Sequence, residues 1–148
     1  MSAPTTDLAA GRELDALVAE HVMSDVAWDV MIEGCSRGGR ACRTRAEAAT
    51  YRDALEKFYT VGDIVLHGDV PHYSTEIAAA WLVVENWRAR GESFQLDSLG
   101  FSWPDEKEQG RVWRCMFAWG DKFNTAVDEA PTAPLAICRA ALAAVEAL

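Results

Sequence analysis

The chain has 148 residues, half of them apolar and a quarter charged, with a formal net charge of −9. That length suits one domain with a core of its own, and no apolar run approaches the ~20 residues of a membrane span. The acidic balance excludes a general nucleic-acid coat, because binding to a phosphate backbone is driven by clustered Lys and Arg. The polar start "MSAPTTDL" does not read as a signal peptide, so the expectation is a soluble, cytoplasmic protein.

Residues 1–10 are expected to form a flexible lead-in and 11–148 a single domain. From Gly11 to Met23, the residues Leu14, Leu17, Val18, His21 and Val22 recur at helical spacing and predict an amphipathic helix with His21 at the boundary of its apolar stripe. "AWDVMI" (27–32) alternates weakly and reads as a short strand or a loop. "GCSRGGRACRTR" (34–45) then places Arg37, Arg40, Arg43 and Arg45 among glycines. Thr44 and Glu47 have the spacing of a capping box, which predicts a helix to about Tyr59 with Ala48, Tyr51, Leu55, Phe58 and Tyr59 available for burial. The arginine stretch would thus end at a helix N-terminus, where free N–H groups and the macrodipole favour anions.

A short strand is expected at Ile64–His67, and residues 34–72 as a whole read as an insertion. Ser74 is the expected N-cap of the next helix, which runs to Gly91 with Ile77, Ala80, Trp81, Val84 and Trp87 as its main stripe. The period then changes from helical to two. The segments 93–103, 111–120 and 122–128 alternate as strands joined by short turns, with Trp113, Cys115, Phe117 and Trp119 on one face. A last helix begins at Thr132 or Ala133, has Pro134 in its first turn, and carries Leu135, Cys138, Ala141, Leu142 and Val145 as its stripe. The expected class is α+β: an antiparallel β-meander of three or slightly more strands packed between helices, an α/β/α sandwich.

The passages "RELDALVAEHVM" (12–23), "YSTEIAAAWLVVENW" (73–87) and "TAPLAICRAALAAVEA" (132–147), with the aromatic meander between them, resemble the small phage proteins grouped as the phage ABA sandwich domain. The likeness covers about residues 11–23 and 73–148. It implies an antiparallel sheet between layers of helix, origin in a phage or prophage genome, and residence in the cytoplasm of the infected bacterium. It implies no general activity. Residues 34–72 depart from it, so the role of the arginine stretch is not implied either.

Three groups of residues are candidates for a site. Arg37, Arg40, Arg43 and Arg45 suit bidentate contacts to phosphate, with glycines turning backbone N–H groups inward; the alternative is a solvated surface insertion. Tyr73, Ser74 and Thr75 can present hydroxyls and a helix N-terminus to a ligand, or can serve only as a cap and staple. Trp28 and Trp103, at the ends of elements, suit a pocket or an interface. No nucleophile elbow, phosphate-binding loop, dinucleotide fingerprint or zinc-protease helix is present, and no catalytic residue is named. Cys35, Cys42, Cys115 and Cys138 lack metal spacing, so neither metal nor cofactor is expected, and a Cys35–Cys42 disulfide is disfavoured in a reducing compartment. The expectation is a non-enzymatic phage binding protein, a sponge that sequesters a small anionic nucleotide signal of a bacterial defence. The alternatives are a module that binds and inhibits or adapts a host protein, and an accessory phage protein of structural or regulatory role. A homo-oligomer is compatible with each.

Overall fold

In the computed structural model, which describes residues 9–32, 41–99, 112–120 and 124–147, the stripe that begins at Leu14 forms a helix. It is α-helical over Arg12–Leu17 (α1) and widens into a π-helix over Val18–Val22, with Met23 N donating to Val18 O. The wider turn carries His21 off the inner face expected of it. Its side chain is 51% exposed, whereas Leu14, Val18 and Val22 are buried.

The chain next builds a small antiparallel sheet from β1 (Trp28–Ile32), β2 (Ala41–Cys42) and β3 (Val61–Leu66), in the order β2-β1-β3. Helix α2 (Arg45–Leu55) packs on all three strands and buries Ala48 completely. It stops at Leu55 rather than Tyr59. The Leu55 carbonyl accepts from both Phe58 N and Tyr59 N, a tight turn that leaves Phe58 and Tyr59 exposed instead of in the core.

Helix α3 (Ile77–Ala89) has Glu76 at its N-cap, with no side-chain cap bond, so Ser74 is not the cap. Its buried line runs through Ala80, Val83, Val84 and Trp87. Ile77 and Trp81, expected on the inner stripe, face outward. The helix packs on the Ala-rich α4 (Ala133–Ala147), and turning short side chains inward permits that close approach. Gly91, with φ +80°, ends the helix in the left-handed conformation that favours glycine.

Strands β4 (Ser93–Leu99), β5 (Val112–Trp119) and β6 (Asn124–Ala130) form the expected meander. The register sets Phe94, Phe117 and Ala126 in one row and Leu96, Cys115 and Asp128 in the next. Phe117 is fully buried and makes ring contacts with Trp87 at 5.2 Å and with Phe94 at 5.4 Å. Thr132 caps α4 through Oγ1, which accepts from Leu135 N. Helix α4 lies against β5, β6, α3 and the helix over 12–22, which accounts for burial along nearly all of its surface. The described residues thus form an α+β sandwich of four helices and two three-stranded antiparallel sheets.

Since Phe117 joins the meander to α3, Phe117→Ala is expected to cost about 3–5 kcal/mol of unfolding free energy, read from urea denaturation. A loss below about 1 kcal/mol would contradict this packing.

Candidate functional site

Strand β2 ends at Cys42 and delivers Arg43, Thr44 and Arg45 to the start of α2. Thr44 is the N-cap, in extended conformation, and its Oγ1 accepts from Glu47 N at 3.0 Å. The anion drawn to this helix N-terminus is one of the protein's own. Glu20, from the π-helix, accepts Arg45 N on Oε1 and the Trp28 indole N–H on Oε2, both at 3.0 Å. The Arg45 guanidinium carbon stands 5.0 Å from the centre of the Trp28 ring. Trp28 is buried, so it serves as a support beneath Arg45 rather than as an open stacking surface.

Arg45 then borders a cleft of about 460 Å³ between α2 and β3, lined also by Arg52, Asp63, Ile64 and Val65. Arg52 lies seven residues after Arg45, two turns along the same side of the helix. Its Nε donates to Gly62 O at 2.8 Å and its Nη1 pairs with Glu56 at 3.0 Å, which fix its orientation against β3. Arg52 and Asp63 were not among the sequence candidates. The i, i+7 spacing of the two arginines on a helix that meets a strand was the available signal. Chemically, the cleft offers the Arg45 guanidinium, the part of Arg52 not engaged by Glu56 and Gly62 O, the Asp63 carboxylate and apolar surface of β3. Arg43 is exposed beside the start of α2. Arg37, Arg40, Trp103 and Cys35 lie outside the described residues, and Cys42 is buried.

Tyr73 and Ser74, considered above as ligand contacts, are buried parts of the scaffold. Asp15 is completely buried. Its Oδ1 accepts both Ser74 N and the Ser74 hydroxyl at 2.7 Å, and its Oδ2 accepts Arg12 Nη1 at 3.0 Å. Arg12 Nη2 donates to Val70 O at 2.7 Å, and Gly11 N donates to Ser74 Oγ at 2.9 Å. The carboxylate therefore clamps the first helix to the segment that leads into α3. Thr75 is exposed and turns its N–H to His72 O, away from any helix cap.

Beneath this clamp, burial pushes the Cys138 thiol well above its ordinary range, with Asp15 and then Cys115 adding to the shift. Burial does the same to Cys115, helped by Asp128, and raises Tyr73, helped by Asp25, Cys138 and Asp15. These thiols are packing groups, poor nucleophiles by electrostatics.

A second cleft, of about 500 Å³, opens between the start of α3 and the β6–α4 turn, lined mainly by Ile77, Trp81, Leu96, Trp113, Pro131 and Pro134. Arginine and aromatic side chains thus line separate clefts. Among the described residues, no group of three His, Cys, Asp or Glu side chains is placed to hold a metal ion, and no helix is long and apolar enough to cross a membrane.

Two measurements check the buried cluster. Asp15→Ala leaves Ser74 and Arg12 without their acceptor and is expected to cost about 3 kcal/mol or more in urea unfolding. A near-neutral change would show that water replaces the carboxylate. The raised thiols also set an alkaline limit. In the unfolded chain they ionise near 9.0, whereas in the folded chain they stay neutral. Their contribution is therefore full below pH 9 and is lost as the pH rises, by up to about 1.4 kcal/mol per pH unit for each thiol. The Cys115→Ala/Cys138→Ala double variant should flatten the fall in unfolding free energy between pH 9 and 10. An unchanged slope would mean that the thiols ionise in place.

A search of curated proteins finds no match. Among solved structures the chain is similar to that of a phage protein from Bacillus cereus ATCC 14579, with 18% sequence identity over 93% of each chain and a TM-score of 0.48. The model of the family described as the phage ABA sandwich domain matches residues 16–142. With the sandwich of helices and antiparallel sheets described above, that match shows that the chain belongs to the phage ABA sandwich domain family.

Proposed function

We propose that this phage-family protein is a non-catalytic binding protein that holds a small anionic nucleotide in the α2–β3 cleft, acting in the cytoplasm of the infected bacterium to sequester a defence signal. The observation that carries it is the pairing of Arg45 and Arg52 along one side of α2, facing Asp63, Ile64 and Val65 across a cleft of about 460 Å³. Guanidinium groups bind phosphate oxygens bidentately, and two of them on a rigid helix lower the ordering cost of binding. Asp63 supplies an acceptor for sugar hydroxyls or base N–H groups, and Ile64 and Val65 supply apolar contact for a base. Trp28 beneath Arg45 and the Gly62 carbonyl at Arg52 hold the two forks in place before any ligand arrives. Arg52 is shared with Glu56 and Asp63 borders the cleft, so Arg45 is the group that would lead an anion in.

Melting curves in the presence of cyclic di-GMP, cyclic GMP–AMP, AMP or GMP, with inorganic phosphate as control, test this directly. A nucleotide present at 100 times its dissociation constant should add about 2.7 kcal/mol of stability, a rise of roughly 5–10 °C in Tm. Arg45→Ala should abolish the rise while lowering the ligand-free Tm by only a few degrees, since an exposed cation–π contact contributes about 0.5–1 kcal/mol. A flat response to every nucleotide, or a rise that survives Arg45→Ala, would contradict nucleotide binding at this cleft. The alternative, inhibition or adaptation of a host protein, would not depend on Arg45 and Arg52 in this way.

A further inference from the structure

Within the α2–β3 cleft the polar groups follow one another in a fixed order and differ in how far they are already engaged. Arg45 lies over Trp28, which pairs with Leu66 in the register of β1 and β3, so its guanidinium marks the Leu66 end. Arg52 donates to Gly62 O and marks the other end of the strand. Asp63 stands beside that second end, with Ile64 and Val65 between it and Arg45. Among the described residues the Arg45 guanidinium makes no ion pair. The Asp63 side chain makes neither ion pair nor hydrogen bond there, although two arginines border the same cleft. Arg52, by contrast, is engaged by Glu56. From Leu66 to Asp63 the strand rises about 10 Å, the order of length of one nucleoside monophosphate. Asp63 also sits where β3 takes three steps, Ile64 to Val61, against two on β1, Val30 to Ile32. Such an extra residue re-aims the side chains beside it.

We infer that the cleft selects guanine among the bases, with Asp63 as the residue that reads it; this rests on the nucleotide reading proposed above. An ionised carboxylate only accepts, and its two oxygens meet two parallel N–H donors. Guanine is the base that presents such a pair, N1–H beside the 2-amino group. Adenine sets an acceptor, N1, beside its 6-amino donor, and cytosine likewise sets N3 beside its amino group. Uracil flanks its single N–H with two carbonyl oxygens, which would face the carboxylate. The charges also fix the direction in which the ligand lies. A phosphate is drawn to Arg45 and repelled by Asp63, so the base is left over Val65, which is 39% exposed, with its edge toward the acid. Because Asp63 is exposed, water competes for it. The discrimination therefore falls at the low end of that for a bidentate base contact, about tenfold.

Isothermal titration calorimetry of the full chain with GMP, AMP and IMP tests it. GMP should bind about tenfold more tightly than AMP, with IMP, which keeps N1–H and lacks the 2-amino group, between the two. Asp63→Asn should erase the difference between GMP and AMP. Asp63→Glu, which keeps both acceptor oxygens, should retain part of it. A variant that merely loosened the fold would weaken both nucleotides and leave their ratio unchanged. Equal affinity for GMP and AMP, or a preference for GMP that survives Asp63→Asn, would overturn the inference while the nucleotide reading of the cleft stands. Binding of none of the three would overturn it as well, and the melting curves with cyclic dinucleotides then decide the nucleotide reading by themselves.

Discussion

A buried carboxylate with every hydrogen bond made ties the fold together. Asp15 sits in the first helix with no solvent exposure and is held by Ser74 and Arg12. A lone charge in that position would cost several kcal/mol, so the helix, the 70–74 segment and the start of α3 must be in register before it is tolerated. Five residues on, Glu20 makes the same kind of contact on another side of the same helix, to Trp28 of β1 and to the first N–H of α2. One helix thus fastens the small sheet and α2 through Glu20, and the α3–meander half through Asp15. Glu20 lies in the π-helical turn and Asp15 in the α-helical turns before it.

That arrangement also decides which charges remain available. The N-terminus of α2 would attract a free anion, but Glu20 already satisfies it, so any ligand must be met by side chains instead. Arg45 is pulled over Trp28, and Arg52 is turned against the Gly62 carbonyl, so both guanidinium groups are oriented by the scaffold. The proposed binding therefore rests on two oriented side chains of α2, Arg45 and Arg52.

Features with local causes were legible in the sequence. The period-two alternation around Trp113 and Phe117 survives in the meander because β5 pairs along its whole length with β4 on one side and β6 on the other. Thr44, three residues before Glu47, caps α2, and Pro134 opens α4, because each acts on its own helix. Ser74 was misread for the opposite reason: its hydrogen-bond partner is Asp15, 59 residues away, and a good capping residue looks the same in either role. The inner side of α3 was misplaced because several lines of that helix are apolar, and only the position of α4 selects among them. Arg45 and Trp28 were named singly, but their stacking depends on Glu20, and Arg52 became visible only once β3 lay beside α2. The family likeness predicted the sandwich and had nothing to say about the cleft.

The most direct test of a ligand-holding cleft is amide hydrogen exchange of the full chain with and without saturating cyclic di-GMP or cyclic GMP–AMP. Slowed exchange in the first two turns of α2 and along β3, with the meander unchanged, is the predicted result. Exchange unaltered at α2 and β3, or slowed only along α3, would contradict it.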